Sequence, residues 1–220
     1  MSNVAALFVQ PAGAYFGMPC VELWDESRDA RKYCGPWPVV AHPPCGRWCK
    51  PLAKVNQTRY GHKIGDDGGC FVTALMNVVK YGGVLEHPAN SYAWDEEFFN
   101  LPKPRRGYWR QDFGFTFPQC VWVTEVSQSA YGHKARKATW LIYSGLTRPL
   151  ALDWSDPKGT HLTSWLQRTS RVAPRITKKE ADKTPPAFRD MLLSLARLSK
   201  VGTAPSAETK PQDQPRPTAL

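Results

Sequence analysis

Residues 38–45 read Pro-Val-Val-Ala-His-Pro-Pro-Cys, and residues 82–88 read Gly-Gly-Val-Leu-Glu-His-Pro. Each is a short apolar run that stops abruptly at polar residues and proline. Runs this short, bounded by turn formers and rich in β-branched side chains, are the pattern of strands buried on both faces. Working outward, Val4 to Val9, Val21 to Trp24, Val121 to Val126 and Thr139 to Tyr143 read as further strands. A helix is predicted over Cys70 to Tyr81, where Phe71, Leu75, Val78 and Val79 recur at helical spacing and Gly82-Gly83 supplies the stop. Thr184-Pro-Pro-Ala-Phe opens a second amphipathic helix, running to about Lys200, with both prolines tolerated in its first turn. Asp25 to Tyr33 reads as a short helix capped by Asp25 or Ser27, and residues 46–64 as an irregular basic loop. Strands alternating with helices predict a mostly parallel α/β sheet, whose functional groups gather at the carboxyl ends of its strands.

A chain of 220 residues, 42% of them hydrophobic, suits one α/β domain over residues 1–200 with a substantial core. Residues 201–220 are polar and proline-rich and are expected to be a disordered tail. No run approaches the roughly 20 apolar residues of a membrane span. Pro11 and Gly13 interrupt the first apolar run and no basic leader precedes it, so the expectation is a cytoplasmic protein without a signal peptide and without disulfides. Cys45 and Cys49 form one tight C-x3-C pair; a zinc site needs two such pairs or a Cys/His pair, and no metal is expected. Cys70 and Cys120 read as core. The net charge is +10, concentrated after residue 100 in KPRR, HKARK and RVAPRITKK. That excess predicts attraction to a polyanion, nucleic acid and DNA foremost, against the simpler explanation of solubility.

Three segments carry chemistry. In His42-Pro-Pro-Cys45-Gly-Arg47, two prolines hold the next side chain in a fixed place; the thiol is either a nucleophile or a buried turn residue. Glu86, at the end of a buried strand, needs a partner or a function to offset its desolvation; it either meets a base edge or pairs with an arginine. Lys134-Ala-Arg136-Lys137, ahead of the strand Thr139 to Tyr143, either binds phosphate, orients Glu86, or is a solvated charge run. Trp94, Trp109 and Trp122 are candidate stacking surfaces, with core packing favoured for Trp122. Arg105 and Arg106 of the KPRR run are candidate phosphate contacts, with Arg47, Lys134 and Lys137.

Taken together and in this order, the segments resemble the cytosine-C5 DNA methyltransferase family. In that family a Pro-Cys segment supplies the nucleophile, a Glu-Asn-Val-like segment a carboxyl group and a Gln-Arg-Arg-like segment an arginine. Cys45, Glu86 and Arg136 stand at those positions, with His87 in place of the Asn and Ala135 in place of the Gln. The helix opened by Thr184-Pro-Pro is similar to the last motif of the family. Leu7-Phe-Val-Gln-Pro-Ala-Gly-Ala-Tyr-Phe-Gly17 resembles the glycine-rich cofactor loop after the first strand, so Phe8, Gly13, Gly17 and, on the next strand, Glu22 are the residues the resemblance assigns to S-adenosylmethionine. Gln10 and Ala12 stand where glycines are expected. The strand that would contact the cofactor adenine is missing, as is the large target-recognition domain. The resemblance implies a reduced, Rossmann-like methyltransferase-type sheet.

The chemistry implied is addition of the Cys45 thiolate to C6 of a flipped or unpaired pyrimidine, which makes C5 able to take up an electrophile. Cytosine C5 methylation is the simplest outcome. The alternatives are Cys-dependent modification with another donor, and a degenerate relative that only binds nucleic acid. The departures in the cofactor loop lead us to expect weak adenosylmethionine binding or none.

Overall fold

The structure, a computed structural model, describes residues 3–112, 121–162 and 173–199. The expected tail over 201–220 and Cys120 lie outside the described residues. Among the described residues, seven strands form one mixed sheet: β1 (Val4–Leu7), β2 (Val21–Trp24), β3 (Val39–Ala41), β4 (Gly83–Pro88), β5 (Arg110–Asp112), β6 (Val121–Ser127) and β7 (Ala138–Ser144), in the order β2-β1-β3-β4-β7-β6-β5. The first four strands pair in parallel, and β7, β6 and β5 each pair antiparallel with their neighbours. The sheet is therefore less parallel than expected. β6 and β7 are joined by a single 3-10 turn over Gln128–Tyr131 and a few further residues, too little for the crossover that a parallel pair needs.

Alternation along the central strands supplies two apolar faces. Ala5, Leu7, Val39, Ala41, Leu85 and Ile142 pack with helix α2 (Cys70–Tyr81) on one side. Val4, Ala6, Val40, Val84, Leu141 and Tyr143 pack on the other with helix α4 (Pro186–Leu198), which follows the single-turn helix α3 (Lys178–Ala181). Phe188 and Leu192 of α4 are completely buried, and truncating either to alanine costs about 2–5 kcal/mol. The parallel pair β3–β4 approaches so closely that a Cβ on Gly83, whose φ is +126°, would collide with the Val39 carbonyl. Only glycine fits there.

Two local expectations are corrected. Residues 46–64 are not an irregular loop but contain helix α1 (Lys50–Tyr60), with proline in its first turn and Gly61 as a left-handed C-cap. Residues 25–33 form turns and one 3-10 turn, Ala30–Lys32, because Asp25 accepts from Ser27 and from the Arg28 amide and Asp29 takes a left-handed φ of 52°. Cys70 is not core either: it is partly exposed at the start of α2. No helix among the described residues is long and apolar enough to cross a membrane.

Candidate functional site

β3 and β4 run side by side, with Ala41 opposite Leu85, and their carboxyl ends deliver His42 and Glu86 to the α4 face of the sheet. The Glu86 carboxylate is almost fully buried. One oxygen accepts from His42 Nδ1 at 2.9 Å and the other from Gln128 Nε2 at 3.1 Å. His42 Nε2 lies 2.8 Å from the Tyr15 hydroxyl. Burial acts to raise the Glu86 carboxyl, but the hydrogen bond and charge of His42, with the charge of Lys137, outweigh it and hold the group well below the usual carboxylate range. Burial, reinforced by Glu86, pushes the Tyr15 phenol well above its ordinary value. A carboxylate only accepts, so Nδ1 of His42 carries the proton. In the neutral ring Tyr15 then donates to Nε2, and in the charged ring Nε2 donates to the Tyr15 hydroxyl. The chain Tyr15–His42–Glu86–Gln128 is satisfied except at Gln128 Oε1, which is buried without a partner among the described residues.

Cys45 lies one turn ahead of α1. Its carbonyl accepts from the Trp48 and Cys49 amides, so the prolines before it and the turn after it fix its backbone. Burial pushes its thiol up to about 11, Cys49 and Glu86 add to the rise, and Lys137 opposes it. The resting group is a neutral thiol. Pro44, Gly46 and Arg47 flank it and line an open cleft of about 580 Å³ with Asn56, Tyr60 and His62. Cys45 and Glu86 are electrostatically coupled, and the cleft is walled by the chain neighbours of Cys45 rather than by either of the two.

The other candidate residues divide. Lys137, expected on a phosphate, is partly buried and is the cation that acts on both Cys45 and Glu86. Arg136 does not orient Glu86. Its guanidinium forks onto Asp156 with Nε–O distances of 2.8 and 2.9 Å and is about half exposed. Arg106 is no free phosphate contact: it is partly buried between Glu125, at 2.7 Å, and Asp156. Lys134 reaches Glu180 at 3.2 Å across the surface. Arg105 is exposed. Trp94, in the α2-side core, and Trp109, in the α4-side core, are buried and unable to stack on a base, and Trp122 packs partly buried against the α4-side core. His87 points to the opposite face from Glu86, as consecutive strand residues must, between Phe71 and Trp94.

Of the residues assigned to a cofactor, Phe8 ends β1 with φ 58° and its amide donates to Trp24. The following segment folds on itself in turns, Gly13 N to Gln10 O at 3.0 Å and Phe16 N to Gly13 O at 3.1 Å. A Cβ on Gly13 would sit 3.1 Å from the Gln10 carbonyl, while Gly17, φ +71°, faces open space. Glu22 is on edge strand β2, paired with Arg28 at 2.9 Å.

His42, Tyr15 and Gln128, which complete the network around Glu86, are not singled out by the sequence. The signal for His42 was its position between a buried strand and Pro-Pro-Cys; Tyr15 and Gln128 carried none. Among the described residues, no group of three or more His, Cys, Asp or Glu side chains is arranged to hold a metal ion. The sequence matches no protein-family model and no curated protein.

Proposed function

We propose that the protein binds nucleic acid and modifies a pyrimidine at C5 through Cys45, as the resemblance to cytosine-C5 DNA methyltransferases implies. The observation that carries this reading is the position of Cys45 and Glu86 just after and at the end of two neighbouring parallel strands, electrostatically coupled to each other and to Lys137. In this reading the sheet is a reduced Rossmann-like methyltransferase-type sheet, its parallel half β2-β1-β3-β4 covered by helices on both faces.

As the Cys45 thiolate adds to C6 of the pyrimidine, the thiol proton passes through solvent to N3, leaving a neutral enamine. C5 then takes an alkyl group from an electrophilic donor whose leaving group departs with the bonding pair; loss of the C5 and N3 protons to solvent and expulsion of the thiolate restore the ring. Glu86, held ionised by His42, accepts from the exocyclic amine of cytosine and from a protonated N3. Lys137 is the cation that eases thiolate formation.

The residues assigned to adenosylmethionine fit it poorly. The loop after β1 is occupied by its own turns, Glu22 is engaged by Arg28, and β2 is the edge of the sheet. No step is therefore routed through that donor. The raised Cys45 thiol and this poor fit together favour, as the second reading, a relative that binds nucleic acid without modifying it.

Mass spectrometry of nucleosides from the DNA of cells expressing the protein tests the first reading. A modified pyrimidine that vanishes with Cys45→Ala is the expected result. Modification that survives Cys45→Ala removes Cys45 from the mechanism, and unmodified DNA in both cases favours the second reading. Calorimetry with adenosylmethionine tests the fit, and a micromolar Kd would overturn it.

A further inference from the structure

Helix α1 does not cover the core. Among its described side chains only Ala53 is buried, and Lys54, Val55, Gln57, Thr58, Arg59 and Tyr60 face solvent. A surface helix without a buried apolar stripe contributes little to packing and leaves most of its side chains free to meet other molecules. Residues 46–64 contain Arg47, Lys50, Lys54, Arg59 and Lys63 and no aspartate or glutamate. Lys50 is tied to Asp95 at 2.9 Å, whereas Arg47, Lys54, Arg59 and Lys63 have no ion pair among the described residues.

The cleft beside Cys45 lies against this helix. Asn56 ties the two together by donating to the Gly46 carbonyl at 3.1 Å. Tyr60, 61% exposed, stands at the cleft with its ring centroid 5.9 Å from that of His62. Two aspartates share the wall: Asp67 caps α2 through the Gly69, Cys70 and Phe71 amides and accepts from Trp48, whereas Asp66 is exposed with no ion pair among the described residues, so the phosphate contacts are assigned to the cations of residues 47–63 and not to that end of the cleft. The volume of about 580 Å³ lies within the range of small-ligand sites, roughly 300–1,000 Å³. An exposed aromatic ring beside unpaired cations is the arrangement that binds unpaired nucleotides by stacking and phosphate contact.

We propose that α1 and this cleft seat a single-stranded DNA segment, with Tyr60 stacking on the base next to the one presented to Cys45 and with Arg47, Lys54, Arg59 and Lys63 carrying its phosphates. The position of the neighbouring base rests on the reading of Cys45 as the modifying thiol; the binding does not. A single strand fits because Cys45 is mostly buried and admits only a base that is out of its stack. A membrane surface does not fit, because the helix has no apolar face to insert.

The test is fluorescence anisotropy with a labelled pyrimidine-rich single-stranded DNA over a range of salt. Lys54→Ala/Arg59→Ala/Lys63→Ala should weaken binding and flatten the log–log salt dependence by about 2, at about 0.7 per phosphate on a single strand. Tyr60→Ala should weaken binding at least about fivefold at fixed salt with an unchanged slope, and Tyr60→Phe should restore it. Arg148→Ala/Lys158→Ala, on exposed residues elsewhere, should bind as wild type. All the residues changed are exposed, so the melting curves of the variants should match wild type. A wild-type slope in the triple variant, or preference for duplex or for RNA of the same sequence, overturns the proposal. Modification that persists while binding ignores α1 removes the seat and leaves the Cys45 reading; α1-dependent binding without modification does the reverse.

Discussion

His42 donates through Nδ1 to Glu86 at 2.9 Å, across the carboxyl ends of two parallel strands. A buried carboxylate without such a donor would protonate rather than remain charged. His42, and not Arg136, is therefore the group that holds Glu86 charged. Removing it should leave burial as the dominant influence on Glu86. We expect His42→Ala to raise the Glu86 carboxyl and to cost about 1–3 kcal/mol, read from the urea midpoint at neutral pH. The sign with pH follows from linkage. The Glu86 value in the folded protein is below its unfolded value, so its contribution is complete above about pH 4.3 and is lost as the pH falls further. In His42→Ala that acid-side loss should shrink. An unchanged acid limb would show that His42 does not set the charge of Glu86.

Cys45 is a nucleophile candidate whose resting thiol is pushed up to about 11 by burial. Its alkylation by iodoacetamide should climb steadily with pH through 9 and beyond. At neutral pH it should react about tenfold more slowly than an ordinary accessible thiol, the lower thiolate fraction being partly offset by the greater nucleophilicity of a more basic thiolate. Peptide mass spectrometry resolves it from the exposed Cys20 and Cys34, which report on access of the reagent. Lys137→Ala removes the opposing cation and should slow Cys45 further without slowing the other two. Fast alkylation of Cys45 at pH 7 would contradict the assignment of a neutral thiol.

The central strands were legible because each is an apolar run punctuated by Gly, Pro or a charge, and α2 and α4 because their apolar residues recur at helical spacing over a core they cover. α1 was not, since a helix that covers no core leaves no such periodicity; its proline start and Gly61 stop were the only marks. The direction of β7 depends on the length of its connection, which the composition of the strand does not encode. Cys45 and Glu86 could be singled out from their strand-end positions. Their partners could not: Asp156, which takes Arg136 away from the site, lies in a polar stretch without pattern, and Gln128 becomes a ligand of Glu86 only through the pairing of β6 with β7.

His87 presents a separate acid-sensitive group. It is fully buried between Phe71 and Trp94 with neither ring nitrogen partnered among the described residues. Burial lowers it to about 4, against the opposing charge of Glu86. The unfolded chain takes up this proton near 6.5 and the folded protein only near 4. Stability is therefore untouched above about pH 6.5 and falls as the pH drops toward 4, by roughly 3 kcal/mol in all. His87→Met keeps an apolar group of similar size in the aromatic setting and should flatten this part of the curve. Parallel stability profiles for the two proteins between pH 6.5 and 4 would rule out His87 as the source.

Arg136 and Asp156 offer a test between a structural clip and a reacting group. Asp156 receives both Arg136 and Arg106, and the Arg136 hydrogen bond, ahead of that of Arg106, holds its carboxyl far below the usual range. These contacts fasten the segment around 153–157 to the strand ends, with Ser129 donating to the Pro157 carbonyl and Tyr131 to the Asp153 carbonyl. Arg136 is about half exposed, so its pair is worth only about 0–1 kcal/mol, and Arg136→Ala should barely move the global melting temperature. It should, however, loosen the segment locally, and Asp156→Asn should do the same by removing the charge that both guanidiniums share. Hydrogen exchange of amides 153–160 is the readout: faster exchange in both variants, with the β3 and β4 amides unchanged, is the signature of a clip. If Arg136 instead acts on the reacting pyrimidine, Arg136→Ala should lose modification while Asp156→Asn, which frees the guanidinium, keeps it. Equal loss of modification in both, accompanied by faster local exchange, would tie the clip itself to activity and assign Arg136 a positioning role.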